Sequence, residues 1–314
     1  MSVLSTEALD ISKWEGLSGM GEALDLSEDK FGMLRDSSEI AFDPEALRER
    51  MAEDGYLFLP GLLHRDEVLA ARRVIAERLH AAGQLLPGSE LMDLKARQGS
   101  GGFWPDLAAN NPELMTVLYD GPMMALYERL LGGEVRHFDF TWFRAVGPGQ
   151  ATPPHTDSVY MNRGTHDLYT SWTPLSDVRP EVGGLMILEG SHQVERLRRN
   201  YSMKDVDTFC SNRRDEGYKE MGGGGNISKG GWLSRRPAKL REALGGRWLT
   251  SEFHMGDVLI FSIFTVHAST DNRSDEIRLS SDSRYQLASE PADERWIGEN
   301  PIAHGPAGKR GKIC

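Results

Sequence analysis

Three residues have the types needed to hold a metal ion at an oxidising centre. His155 and Asp157 lie two apart in Pro153-Pro154-His155-Thr156-Asp157, and His267 lies far along the chain in Phe264-Thr265-Val266-His267-Ala268. In an extended strand, residues i and i+2 point to the same face, so His155 and Asp157 can reach one small object together. A second histidine from another strand completes two imidazoles and one carboxylate. That donor set, with its remaining coordination positions open, is the facial triad of non-haem Fe(II) oxygenases. A bare HxD pair recurs by chance in surface turns, so the reading depends on what the rest of the chain supplies.

The second requirement is an anion anchor. A 2-oxo diacid that chelates iron at one end leaves a carboxylate at the other, and a guanidinium is its natural partner. Arg278 follows His267 by eleven residues (278 − 267 = 11). That distance lets one strand end, turn at Asp271-Asn272-Arg273-Ser274-Asp275 and return antiparallel beside the metal. Ser280 falls on the same face as Arg278 and adds a hydroxyl donor. Ile277 and Leu279 flank Arg278, an unusual setting for a surface arginine.

The elements that must position these groups fall into two regions. Helices are predicted over 44–54, which opens on Pro44 with Leu47 and Met51 on one face, over 65–82, and over most of 111–131, interrupted at Gly121-Pro122. A strand is predicted at 55–61, between the first two. From residue 135 onward strands follow one another at 135–146, 155–160, 168–174, 185–188, 247–254, 257–267 and 277–287, separated by Gly, Pro, Asn and Asp clusters. Short strands after a helical first part predict a mainly β fold, a barrel or sandwich buttressed by helices. Residues 1–43 read as an N-terminal arm, 44–300 as a single domain and 301–314 as a tail. The polar, glycine-rich insertion 204–231 matches no phosphate-loop pattern and is expected to be a loop or lid.

Composition narrows the function classes. The chain has 314 residues, 39% of them hydrophobic, and a formal net charge of −11. That charge argues against nucleic-acid or anionic-membrane partners. The two cysteines, Cys210 and Cys314, form no disulfide framework or zinc pattern. The start carries no secretory pattern and the longest apolar run, 258–264, is too short to span a bilayer, so a cytoplasmic protein is expected. Nothing in the sequence bears on oligomeric state.

An ordered set of motifs resembles the phytanoyl-CoA dioxygenase family of Fe(II)/2-oxoglutarate oxygenases. It comprises His155-Thr156-Asp157, Trp172, Gly183-Gly184-Leu185-Met186-Ile187-Leu188-Glu189-Gly190-Ser191-His192, Gly256-Asp257-Val258, His267 and Arg278-Leu279-Ser280. Asp54-Gly55-Tyr56-Leu57-Phe58-Leu59-Pro60-Gly61 also looks like the family's first strand, and the resemblance spans roughly residues 47–285. It implies a double-stranded β-helix, the cupin-like jelly roll, with helices packed on one sheet. It implies His155, Asp157 and His267 as iron ligands and Arg278 and Ser280 at the distal carboxylate of 2-oxoglutarate. Trp172 matches a position lining the co-substrate pocket, and Thr141 matches a further contact. His192 is a third histidine near these motifs, and the family pattern makes it structural. Related halogenases replace the carboxylate by a small residue, so Asp157 favours hydroxylation.

The implied activity is hydroxylation of a small-molecule C–H bond, with O2 as co-substrate, succinate and CO2 as products and ascorbate as a stimulant. Desaturation, cyclisation or epimerisation with the same cofactors is the alternative, and a non-catalytic jelly-roll ligand-binding module is the alternative from another class. The substrate candidates are Arg144, Tyr160 and Asn162 around the HxD stretch, and Arg97, Phe103 and Trp104 in the preceding 95–106 loop.

Overall fold

The computed structural model describes residues 11–210, 231–304, 307–308 and 310–312. In chain order the strands are β1 (Ser18–Gly19), β2 (Glu22–Ala23), β3 (Phe31–Met33), β4 (Tyr56–Leu59), β5 (Gly102–Phe103), β6 (Val135–His137), β7 (Trp142–Val146), β8 (Tyr169–Pro174), β9 (Leu185–Leu188), β10 (Thr208–Cys210), β11 (Trp248–Thr250), β12 (Val258–Ser262), β13 (His267–Ser269), β14 (Arg278–Leu287) and β15 (Arg310–Lys312). The α-helices are α1 (Pro44–Asp54), α2 (Arg65–Ala81), α3 (Pro112–Tyr119), α4 (Gly121–Leu131) and α5 (Pro237–Leu244).

Local chemistry sets the helix ends. The Asp43 carboxylate accepts from the amides of Glu45 and Ala46, each at 3.1 Å, and Pro44 follows it. This capping satisfies amides that have no intrahelical partner. Gly55 closes α1 at φ 75°, a left-handed position that favours glycine. The expected break in 111–131 falls at Asp120, whose carboxylate accepts from Gly121 N at 2.7 Å and starts α4.

Two sheets face each other. A seven-stranded sheet runs β4-β12-β8-β14-β7-β5, with β6 also paired to β14, and a four-stranded sheet runs β13-β9-β11-β3. Their inner faces meet in one buried cluster that joins Tyr56, Phe58, Trp172 and Phe261 to Ile187 and Leu249. On the outer face of the large sheet, Leu57, Phe143, Ile260 and Tyr285 pack with helix residues such as Leu47, Ile75, Leu118 and Leu126. This is a double-stranded β-helix buttressed by helices.

The strand β14 shows how the fold serves the site. Its outward residues Leu279 and Tyr285 belong to the helix-side core. Its inward row, Arg278, Ser280, Asp282 and Arg284, is polar and buried. Period-two alternation thus aims a charged stripe into the barrel.

Several predicted strands are cut shorter. The 135–146 segment splits into β6 and β7, and 257–267 divides between the sheets. The chain leaves the large sheet after Ser262 through a turn, with Thr265 N bonded to Ser262 O at 2.9 Å, and enters the small sheet at His267. Within 155–160 only His155 pairs, in an isolated bridge, and Asp157–Val159 is a 3-10 turn. In the expected arm, β3 lies parallel to β11, Phe31 opposite Trp248. Most of the expected lid, 211–230, lies outside the described residues.

Candidate active site

His155 and His267 face each other across an antiparallel bridge. Each donates its backbone N–H to the other's carbonyl at 3.0 Å, and the ring centroids stand 4.2 Å apart. Thr156 is extended, φ −115° and ψ 150°, so Asp157 returns to the same side before the chain turns. The i, i+2 relation therefore holds although the segment is not a regular strand. Both imidazoles direct Nδ1–H at backbone carbonyls: His155 to Pro153 at 2.8 Å and His267 to Thr265 at 3.1 Å. Those bonds fix the tautomer and leave each Nε2 as a lone-pair donor.

Asp157 Oδ1 lies 3.7 Å from both Nε2 atoms. One ligand atom from each of the three residues falls within 4.8 Å of the others. Burial, together with the facing His267, pushes His155 down to about 3, and burial also lowers His267. Both rings are therefore neutral at physiological pH, the state a metal requires. Burial pushes the Asp157 carboxyl up, but Arg284 and the two histidines more than offset this, and it is held below its ordinary value. Two neutral imidazoles and a carboxylate, buried and converging, fit a divalent iron ion.

Of the groups expected to hold 2-oxoglutarate, Arg278 and Ser280 share the inward row of β14 with Arg284, and Trp172 lies two residues from Thr170 on β8. The Arg278 guanidinium is 5.6 Å from the Trp172 ring centroid and donates Nη1–H to Gly183 O at 2.7 Å. Burial and neighbouring Arg144 push it down to about 10, so it remains charged at neutral pH. Arg278 Nε, Ser280 Oγ and Trp172 Nε1 are buried without a hydrogen-bond partner among the described residues. Buried donors are ordinarily satisfied, so three around one guanidinium fit a ligand carboxylate.

A cavity of about 270 Å³ opens over His155 and Asp157 of the triad, lined among others by Phe103, Trp142, Arg144, Tyr160, Trp232 and His304. Arg144 and Tyr160 are thus brought to the site. Arg97, Trp104 and Asn162 are not among the lining residues. Trp104 packs on the helix-side core, its neighbour Phe103 taking the cavity position. Asn162 gives its amide to Lys204 O at 2.8 Å. Thr141 is also turned away, its hydroxyl 2.6 Å from that of Tyr119 in α3. It precedes the inward Trp142 by one residue, and a one-residue step reverses the face. His192 lies outside the triad and packs against Gly55, its Nε2 bonded to Ala52 O at 3.1 Å.

Four groups escaped the sequence reading. Thr170 and Arg284 both bond Asp157 Oδ2. They carry a usable signal, since Thr170 is two residues from Trp172 and Arg284 six from Arg278, each on the same face. Trp232 and His304 come to the cavity only through tertiary folding, and no local pattern marks them.

The comparisons agree with this geometry. Residues 51–280 match the family model for phytanoyl-CoA dioxygenase (PhyH). The chain belongs to the phytanoyl-CoA dioxygenase family, and it is a non-haem iron, 2-oxoglutarate-dependent oxygenase. Two curated relatives are 1-deoxypentalenic acid 11-beta-hydroxylases. The Streptomyces arenae protein is 26% identical over 272 residues, covering 83% of this chain and 87% of the relative. The Streptomyces exfoliatus protein is 28% identical over 265 residues, covering 81% and 85%. Among solved structures, the fold is shared with the carbocyclase SnoK of nogalamycin biosynthesis (TM-score 0.56, 20% identity, 82% of this chain and 89% of that one). It is shared also with the epimerase SnoN (TM-score 0.54, 20% identity, 84% and 95%). No described helix is long and apolar enough to cross a membrane.

Proposed function

We propose that this oxygenase hydroxylates a small, largely apolar carbon skeleton that carries an acidic group. The observation that carries the reading is the cavity over His155 and Asp157, whose walls include Phe103, Trp142, Tyr160 and Trp232 and whose cation away from the ligands is Arg144. Arg144 gives Nε to Asp282 at 3.0 Å, and no hydrogen bond from its Nη groups is made among the described residues, so they are offered to a ligand. The curated relatives, named as hydroxylases of an acid, support the same chemistry.

In this reading His155, Asp157 and His267 hold the iron, and Arg278, Ser280 and Trp172 take the distal carboxylate of 2-oxoglutarate. When bound there, iron with 2-oxoglutarate and O2 would supply an oxidant that puts one oxygen atom into a substrate C–H bond, with the other going to succinate and CO2 released. The aromatic walls orient the target carbon and exclude water, and Arg144 sets which end of the substrate enters first. We take 44–300 as the catalytic domain, and the scarcity of cysteine favours a cytoplasmic location.

A panel of cyclic carboxylic acids and their methyl esters tests this, read as succinate formed above the substrate-free background. Acids stimulate turnover and gain one oxygen atom, esters do not, and Arg144→Ala raises KM for the acids. Equal stimulation by both sets contradicts the role of Arg144. A product short of two hydrogens, or isomeric with the substrate, replaces hydroxylation by desaturation or epimerisation.

A further inference from the structure

Asp157 has contacts on both of its carboxylate oxygens. Its Oδ1 faces both imidazoles, at 3.7 Å from each Nε2. Its Oδ2 accepts two hydrogen bonds, from Thr170 Oγ1 at 2.6 Å and from Arg284 Nη2 at 3.0 Å. The donors come from facing positions, because Arg284 of β14 is paired with Thr170 of β8 in the antiparallel register. Paired residues present their side chains to the same face, so both point inward together. Arg284 is fixed in turn by the Trp142 ring, whose centroid lies 4.3 Å from its guanidinium carbon. Thr170 and Arg284 are 0% and 2% exposed, so water has little access to replace either bond.

We propose that Thr170 and Arg284 form a clamp that keeps Asp157 a one-oxygen ligand, which makes Arg284 a positioning residue of the iron site. The proposal rests on reading the triad as the metal site. A carboxylate beside a divalent cation binds through one oxygen or through both. Here the second oxygen is engaged from behind by a hydroxyl and a cation. The consequence is one coordination position. Three protein atoms on a six-coordinate metal leave three positions, enough for a chelating 2-oxo acid and dioxygen. A two-oxygen carboxylate leaves two, which the chelate alone fills.

The test loads the protein with Mn(II) in place of iron and counts metal-bound waters by electron spin-echo modulation in D2O. The count is repeated with 2-oxoglutarate bound. Wild type retains three waters, and one once the chelate is in place. Thr170→Val combined with Arg284→Met retains two, and none once the chelate is in place. A merely structural role lowers the melting temperature and leaves both counts unchanged, and that result overturns the clamp. Should the Arg284 variants fail to fold, wild type and Thr170→Val decide. Two waters in wild type without 2-oxoglutarate, or unchanged counts in Thr170→Val, overturns it. Absence of His155-dependent Mn(II) binding in wild type would instead refute the triad itself.

Discussion

Among the described residues, the Arg278 guanidinium bonds Gly183 O through Nη1, and its buried Nε has no hydrogen-bond partner. A ligand carboxylate would satisfy it, so its replacement separates binding from folding. Arg278→Met is expected to weaken 2-oxoglutarate by about 1.5–3 kcal/mol, the range for a hydrogen bond to a charged group. The metal-free protein should lose no more than about 1–3 kcal/mol of stability, the cost of leaving the buried Gly183 carbonyl without its donor. Titration of 2-oxoglutarate into the anaerobic Fe(II) protein checks the first, and thermal unfolding checks the second. Residues of this kind are legible in a sequence because spacing encodes them. His155 and Asp157 share a face through an extended Thr156, and Arg278 and Ser280 share one through β14. Thr141 shows the limit, since one residue of phase separates it from Trp142, and the helix layer takes its hydroxyl.

At the scale of elements, the junction of α1 and β4 is a tight spot. Gly55 is left-handed, and a Cβ placed there would sit 2.5 Å or less from the His192 ring atoms Nδ1 and Cγ. Gly55→Ala should therefore cost about 2 kcal/mol or more, the left-handed penalty plus the collision. His192→Ala in the same chain should recover the collision share. Urea unfolding of the four-member cycle measures the coupling, and strict additivity would contradict the contact. Helices and most strands were readable because caps and apolar periods are local, as at Asp43-Pro44 and Leu185–Leu188. The crossing from β12 to β13 was not, because the apolar run 257–267 continues while the chain changes sheets. The pairing of β3 with β11 joins residues too distant in sequence for any window to connect.

At the scale of the molecule, a buried ion cluster ties the C-terminal segment to the cavity rim. Arg295 pairs with Asp205 at 3.0 Å and Asp207 at 2.7 Å, as well as with Asp293, and Asp207 also holds His304 Nδ1 at 2.7 Å. Arg295→Met should cost about 3–5 kcal/mol by stranding buried carboxylates, measured by urea unfolding. Burial pushes the Asp207 carboxyl up, but His304 and Arg295 more than offset it, and it lies below its ordinary 3.8. A lowered carboxyl contributes stability that is complete above its unfolded value and is lost as pH falls through the folded one. Trp296 packs edge-on against His304, so its fluorescence should report loosening of this segment beginning below about pH 4. A signal that changes between pH 5 and 7 instead would contradict the assignment to Asp207. The most direct measurement of the whole account is anaerobic addition of Fe(II) and 2-oxoglutarate to the protein. The triad and Arg278 predict a visible metal-to-ligand charge-transfer band that is absent in His155→Ala and needs more 2-oxoglutarate in Arg278→Met. Iron-loaded, folded protein that gives no band would contradict it.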